Sequence, residues 1–529
     1  MAKKWLSLIL TACMVFSLAA CGGSTTNNGG NNGGSSDDGA GGKKESIVVA
    51  NSFDADTFYP YNSEIMTNQD ECPILHNVYE SPFKLMPDGS VEPLLAESYE
   101  ISADGTEYTL HLRDGVYFHN GKEMTAEDVA GSLNISGASA VGQTLLINYD
   151  TTEVVDENTV VVKLTAPYGP FLTSLASRVA LIIDTDYLEE VGEEGYEAAP
   201  IGTGPYTFVE RVSGDHITLQ ANENYWGEAP VYKTVTVRLM TDINTQMLAL
   251  ESGEVDVLLN ASLSPLLMLS EDSPIKYTST DAATIGALYL NSAYSDSPCS
   301  DLNFRRALQA GINRDDINIG VFEGEATLTD IYMTPTFTGR PDDADLDTYT
   351  YDPKAAAEYL AASGYNGEEI VLATVSGTRN ETVSQIIQGQ LMELGINCSV
   401  NAVDSSSFFQ MVSYGDGSSW DLALRAGTVS VLDADGLYTL FNGDYLDSTG
   451  NYGTGTIRDD RLTELTGLGR VTTDEEERKA VYAEACNIIT DQAYMIPMYC
   501  EMNIVAYNEN IEGVEPRALT GVYFFNDWY

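Results

Sequence analysis

The stretch 235-VTVRLMTDINTQMLALESGEVDVLL-259 establishes the fold class of this chain. Apolar residues alternate over residues 235–239 and predict a strand, whereas the apolar spacing up to Ser252 predicts a helix. Gly253 ends that helix, and the apolar run 255–259 predicts a second strand. A helix between two strands brings the chain back to begin a parallel neighbour, so this order is typical of α/β sheets.

The same order occurs again in the second half of the chain. Residues 370–375 predict a strand, an apolar face up to Leu394 predicts a helix, and residues 396–403 predict a strand after Gly395. The chain has 529 residues, which exceeds what one hydrophobic core accommodates. The sequence therefore predicts two α/β lobes, one from each half.

Charge and cysteine usage exclude several classes of partner. The chain has 79 acidic and 26 basic residues and a net charge of −53, so nucleic acid is not an expected partner. Its seven cysteines form no CxxC, and of its four histidines only His76 lies within five residues of a cysteine, Cys72, which gives two ligands at most. We expect no metal site and no cofactor, and we predict that Cys398 and Cys486 are buried thiols.

Catalytic motifs do not occur in the sequence. It has no GxSxG, HExxH or GxxxxGK[ST], and 202-GTGP-205 departs from the dinucleotide-binding GxGxxG. Asp343, Asp345 and Asp347 imitate the start of a calcium loop, but the required glycine and the glutamate at the twelfth position are missing. We therefore expect a protein that is not an enzyme; a surface enzyme with an unusual site is the remaining alternative.

The N-terminus has the features of an export signal. Two lysines precede an apolar segment that is too short to span a bilayer, and 18-LAAC-21 follows it. This ending resembles the lipobox of bacterial lipoproteins, which implies cleavage after a signal peptide at residues 1–20 and lipidation of Cys21. The alternative is an ordinary secretory signal. Residues 21–45 predict a disordered Gly/Ser/Asn tether, and we expect an anchored protein on the outer face of the cytoplasmic membrane, extracellular or periplasmic.

Several blocks downstream carry a more specific resemblance. They follow one another as 77-NVYE-80, 87-PDGS-90, 93-PLLAESY-99, 112-LRDGV-116, 118-FHNG-121, 200-PIGTGPY-206, 224-NYW-226, 288-LYLN-291 and 304-FRRAL-308. In this order the chain, over about residues 47–525, resembles the extracellular solute-binding proteins of family 5. These proteins serve ABC importers of peptides, nickel and related solutes.

The resemblance implies a bilobal, three-domain fold of the type II periplasmic binding proteins. Domain I would comprise residues 46–80, 198–280 and 503–529, domain II residues 81–197, and domain III residues 281–502. Two hinge segments would cross near 277–288 and 498–506. A monomer would then bind solute between its lobes and deliver it to the permease and ATPase subunits of the importer.

The family also implies where the ligand lies. The first-lobe wall would include Phe53, Asp54, Tyr59 and Asn62, and the domain III wall would include Trp420, Arg425, Thr428, Ser430, Asp433 and Asp435. An arginine such as Arg425 is able to pair with a carboxylate, and the alternative is a partly exposed strand arginine. Trp420 either stacks on ligand or belongs to the core, and strand alternation places it opposite Arg425.

Two residues of this chain differ from those of the dipeptide-binding members at positions that bear on recognition of a peptide amine. Ser430 stands where those members have an amine-binding aspartate, and Gly427 replaces their tryptophan. Asp433 or Asp435 is the candidate replacement carboxylate. Peptide is the first expectation for the cargo, an oligosaccharide or other polar solute the second, and a metal chelate the third. A sensory lipoprotein that uses the same scaffold is the alternative to a transport role.

Overall fold

The computed structural model describes residues 44–55, 57–62, 72–428, 431–452 and 455–529. Cys21, the predicted signal peptide and the predicted tether up to Lys43 lie outside these residues. Among the described residues, no helix has the length and apolar character needed to cross a membrane.

The strands are mostly short, and two of them are much longer than the rest. They are β1 (Ser46–Asn51), β2 (Phe83–Leu85), β3 (Val91–Pro93), β4 (Ala96–Ile101), β5 (Glu107–Leu112), β6 (Tyr149–Asp156), β7 (Thr159–Leu164), β8 (Tyr206–Val212), β9 (His216–Ala221), β10 (Thr234–Leu239), β11 (Val257–Leu258), β12 (Ile275–Leu290), β13 (Thr327–Leu328), β14 (Ile370–Val375), β15 (Cys398–Val403), β16 (Leu422–Thr428) and β17 (Met495–Asn508).

The helices are concentrated in the second half of the chain. They are α1 (Cys72–Val78), α2 (Ala126–Ala138), α3 (Gly142–Leu145), α4 (Phe171–Ser174), α5 (Thr185–Ala198), α6 (Ile243–Ser252), α7 (Leu263–Leu266), α8 (Leu302–Gly311), α9 (Arg314–Phe322), α10 (Pro353–Ala362), α11 (Arg379–Glu393), α12 (Ser405–Ser413), α13 (Gly436–Phe441), α14 (Gly443–Thr449), α15 (Asp460–Val471) and α16 (Glu475–Asp491).

Both predicted strand–helix–strand units are present. The first is β10–α6–β11, where the Asp242 carboxylate caps α6 and Gly253 ends it with a φ of 74°. The N-terminal strand β1 lies between β10 and β11 and pairs in parallel with both. The second unit is β14–α11–β15, whose strands are parallel neighbours. The α/β prediction is therefore confirmed, with β1 inserted into the first unit.

One large sheet contains both units, in the order β15-β14-β16-β12-β17-β11-β1-β10-β9-β8. The long strands β12 and β17 pair antiparallel in its centre, from Ile275 opposite Asn508 to Tyr289 opposite Met495. Both predicted hinge segments lie within these two strands. A separate sheet, β4-β5-β7-β6, lies within the predicted domain II. The domain bounds themselves stay a prediction.

Side chains of β12 alternate between two hydrophobic clusters. Leu288 packs with residues of α8, α9 and α11, whereas Tyr289 packs with residues of α12 and α16. Cys398 and Cys486 are buried free thiols, as predicted, because apolar helices and strands surround them. The two faces of β12 therefore serve different parts of the core, which determines how the cavities beside it are lined.

Candidate functional site

A cavity of 540 Å³ opens beside the middle of the two long strands. Phe53 follows β1, Asn260 follows β11, and Arg379 follows β14, and all three line this cavity. Open α/β sheets bind ligands beyond the carboxyl ends of their parallel strands. The cavity therefore lies where the fold predicts a ligand site, and we call it the hinge cavity.

An interruption in strand pairing contributes to the hinge cavity. The register between β12 and β17 shifts between Asp281 and Ile285. Ala282 and Thr284 lie in this interval and line the cavity. Thr284 is also the first residue of β12 to pair with β16, opposite Thr428. The cavity thus forms where β12 gains a second partner.

The wall of the hinge cavity carries groups of both charges. Arg379 forms an ion pair with Glu501 at 3.0 Å, and its guanidinium lies 5.2 Å from the centroid of the Phe322 ring. Burial raises the pKa of the Glu501 carboxyl, and the Arg379 charge acts against this shift. Glu323, which accepts a hydrogen bond from the Ser264 hydroxyl, adds a second carboxylate. Such a wall offers partners to both ends of a zwitterion.

A second cavity of 380 Å³ has an aromatic lining and contains Arg425. We call it the Arg425 chamber; it is lined by Tyr168, Tyr289, Tyr332, Phe409, Arg425 and Arg470, among others. The Arg425 guanidinium lies 5.9 Å from the centroid of the Phe409 ring. Within the described parts of the chain, no carboxylate comes within ion-pair distance of it.

Both acids of the chamber are engaged by other arginines. The Asp433 oxygens accept hydrogen bonds from Arg478 at 2.5 and 2.9 Å. Those of Asp435 accept from Arg470 at 2.6 and 2.9 Å, and the Tyr168 hydroxyl donates to Asp435 at 3.3 Å. Neither carboxylate is therefore available to a solute amine unless its arginine moves.

The predicted first-lobe residues do not lie together. Phe53 lines the hinge cavity, whereas Asp54 forms an ion pair with Arg211 at 3.2 Å. Tyr59 is buried, and Asn62 donates a hydrogen bond within its own loop. None of these four residues lines the Arg425 chamber. In the described part of the chain, Leu145 and Tyr168, which belong to the predicted domain II, line the chamber instead.

Trp420 differs from the alternation expected for its strand. β16 begins only at Leu422, so alternation does not reach Trp420, and the indole packs in the same hydrophobic cluster as Ala423, on the Arg425 side. Its ring meets Tyr452 edge-on at 6.1 Å and lines neither cavity. Thr428 ends β16, and Ser430 lies outside the described residues.

Several lining residues were not singled out from the sequence. Arg379, Glu501 and Phe322 line the hinge cavity, and Tyr289 and Tyr332 line the chamber. Arg379 follows a predicted strand, and ligands of open α/β sheets bind beyond the carboxyl ends of strands, so the sequence did contain a signal for this residue. The Tyr332 hydroxyl fills the space that a side chain at 427 would enter, which explains how the chamber accommodates a glycine there.

Comparison with known proteins identifies the family. A model of the bacterial extracellular solute-binding proteins, family 5, matches residues 90–448. The chain is 27% identical over 489 residues to the glutathione-binding protein GsiB of Salmonella paratyphi A. This alignment covers 90% of this chain and 93% of that protein. The chain is also 27% identical over 436 residues to the dipeptide-binding protein of Escherichia coli K12, with coverages of 76% and 79%.

A solved structure gives the same result. The protein DppA of Helicobacter pylori, in complex with the peptide STSA, superimposes with a TM-score of 0.71 at 26% identity. The match covers 92% of this chain and 98% of that one. The predicted type II binding-protein fold is thereby confirmed. Proteins of this family bind solutes and are not enzymes, and this chain belongs to the bacterial extracellular solute-binding proteins of family 5.

Proposed function

We propose that the protein is the solute-binding component of an ABC importer and that it binds a peptide. Residues 281–502 would form the lobe that closes on the remainder of the chain. The names of the relatives support this cargo, since they bind glutathione and dipeptides and the DppA structure holds a peptide. The observation that carries the proposal is the hinge cavity, whose wall offers both a guanidinium and carboxylates beside apolar rings.

The charges in the hinge cavity suit the two ends of a peptide. A peptide carboxylate would form a bidentate ion pair with the Arg379 guanidinium, because a guanidinium binds a carboxylate with two parallel hydrogen bonds. The peptide amine would then neutralise Glu501, which loses its partner in that exchange. Phe53 and Phe322 would cover the apolar part of the solute.

The first experiment identifies the solute. The full chain is purified, and the molecules that it releases on denaturation are analysed by mass spectrometry. Thermal shifts against peptide and sugar libraries follow. We expect defined peptides to raise the melting temperature; stabilisation by a glycan with none by peptides would contradict the proposal.

A second experiment tests the hinge cavity. The Arg379→Gln variant should bind the identified peptide at least about tenfold more weakly, since a charge-assisted pair contributes more than about 1.4 kcal/mol. Arg238→Gln is the matched control, because Arg238 also pairs with one glutamate, at 2.6 Å, but lies outside the cavity. Equal affinities of the two variants would exclude Arg379 from binding.

The membrane anchor is part of the proposal. Lipidated Cys21 would hold the protein at the membrane, and the 24 residues after it, 22–45, would act as a tether with a mean reach of about 27 Å. Cys21→Ser should remove incorporation of labelled fatty acid and release the protein from membranes. Cys13→Ser, in the same leader, is the control that keeps both. Membrane retention of Cys21→Ser would contradict the anchor.

A further inference from the structure

We infer that the Arg425 chamber is a compartment for a carboxylate carried by the solute. This inference rests on the proposed function and extends it from peptides in general to solutes with an acidic group. That group would be an acidic side chain or a terminal carboxylate, and both present the same chemistry to the chamber.

The charges around the chamber favour an anion. Asp433 is neutralised by Arg478, and Asp435 is neutralised by Arg470, so these four groups contribute no net charge. Arg425 remains as the one positive charge of the lining without a carboxylate partner in the described residues. A carboxylate that approaches a partly buried guanidinium forms two parallel hydrogen bonds with it, and the attraction between the charges offsets the desolvation penalty. The protein carries a net charge of −53, so this local positive charge differs from its general surface.

A buried hydroxyl provides an independent observation. Tyr289 is fully buried and lines the chamber beside Arg425. Its hydroxyl interacts with the Arg425 guanidinium and with Tyr332, but it forms no hydrogen bond of good geometry with any described residue. Buried polar atoms are nearly always hydrogen-bonded, and a guanidinium only donates, so the proton of the Tyr289 hydroxyl still has an acceptor with negative charge to gain. A solute carboxylate would supply that acceptor to both groups.

The apolar side chains of the chamber would surround the carbon atoms that carry the carboxylate. Leu145, Ile147, Phe409 and Leu440 line the chamber together with the charged groups. These side chains exclude water from the methylene groups of an acidic side chain and strengthen the ion pair at its end. The volume of 380 Å³ accommodates such a side chain with neighbouring main-chain atoms.

The position of the chamber connects it to the hinge cavity. Gly427 of the chamber pairs with Ile285, and Thr284 of the hinge cavity pairs with Thr428. The two cavities therefore adjoin the same strand pair at successive positions. A single extended solute would place one polar end at Arg379 and its acidic group at Arg425.

The test measures affinity by calorimetry at low ionic strength, with the full chain and six probes. The probes are Ala-Ala-Ala, Ala-Glu-Ala and Ala-Gln-Ala, each as the free acid and as the C-terminal amide. We expect at least one exchange of carboxylate for amide, in the side chain or at the terminus, to weaken binding about tenfold. The side-chain and terminal arms distinguish the two sources of the carboxylate.

Variants assign that discrimination to the chamber. Arg425→Met should reduce the affinity ratio of the carboxylate probe over its amide counterpart to within about twofold, and Arg425→Lys should keep part of this ratio. Tyr289→Phe should lower the same affinity ratio about threefold, and this variant provides a second measurement if Arg425→Met folds poorly. Arg461→Met is the control, because Arg461 lies on the exposed surface and pairs with Glu484.

Each outcome separates the two proposals. The inference is wrong if the affinity ratio of carboxylate over amide probes is unchanged in Arg425→Met. It is also wrong if only Arg379→Gln abolishes this ratio. Equal binding of all six probes by the natural protein also overturns it and leaves peptide binding intact. If none of the six probes binds and the peptide libraries also fail, the proposed function itself is wrong.

Discussion

Glu80 should make the stability of the protein fall as the pH rises. It is 4% exposed and follows α1, at one of the two predicted connections between domains I and II. Its carboxylate accepts hydrogen bonds from Thr203 at 2.8 Å, Tyr225 at 2.7 Å and Trp226 at 2.8 Å. Burial raises the pKa of Glu80 from 4.5 to about 7, although these hydrogen bonds and the charge of Lys84 oppose the shift.

The magnitude follows from the two pKa values. The folded protein holds the Glu80 proton up to about pH 7, whereas the unfolded chain releases it near 4.5. Stability from this group is therefore complete below pH 4.5 and is lost between pH 4.5 and 7. The interval of about 2.5 on the pH scale corresponds to about 3 kcal/mol.

Glu80→Gln tests this reasoning, because glutamine keeps the shape and stays neutral. Urea unfolding at pH 4.5 and pH 8 should show the variant gaining about 3 kcal/mol relative to the natural protein over that range. Glu228→Gln, at an exposed position of the loop after Trp226, should show no such gain. A stability difference between Glu80→Gln and the natural protein that is the same at both pH values would show that folding does not raise the pKa of Glu80.

Three further substitutions have defined outcomes in urea unfolding. Asp433→Asn should destabilise the protein by about 3–5 kcal/mol, because it leaves the buried Arg478 guanidinium uncompensated; a loss below about 1 kcal/mol would contradict this. Gly202→Ala should destabilise by about 1–3 kcal/mol, because the new methyl group collides with the Val78 carbonyl oxygen. Gly389→Ala should instead stabilise by about 0.5–1 kcal/mol, since it lies inside α11 with open space beside it, and a loss of stability there would refute the helix assignment.

Local signals in the sequence were sufficient for the strand–helix–strand units. Gly253 ends α6 with a left-handed conformation, and Gly395 lies just after α11 with a φ of 90°, as expected from glycine after an apolar helical face. The placement of β1 between β10 and β11 required more than local signals. That pairing joins residues about 190 positions apart in sequence, and periodicity has no information about such contacts.

The residues that line the hinge cavity illustrate a second limit. Phe53 was predicted and lines the hinge cavity, but Arg379, Glu501 and Phe322 come from three elements far apart in the sequence. Each has an ordinary local role: Arg379 begins a helix, Glu501 lies in a strand, and Phe322 ends a helix. They share a cavity only because the sheet brings these elements together. Asp433 and Asp435 line the Arg425 chamber, but the sequence could not show that arginines already neutralise them.

The long strand β12 contributes to both cavities, and a movement of the lobes would therefore change both. β12 loses its regular pairing with β17 between Asp281 and Ile285, and a strand bends most easily where its hydrogen bonds are interrupted. Ala282 and Thr284, within this interval, line the hinge cavity, whereas Tyr289, further along the same strand, lines the Arg425 chamber. A rotation about the interval would therefore change both cavities at once. A solute that contacts both would favour the lobe arrangement in which it makes the most contacts, because a ligand shifts an equilibrium only by its difference in affinity for the two states. β12, which lines both cavities, would in this way couple solute binding to closure of the lobes.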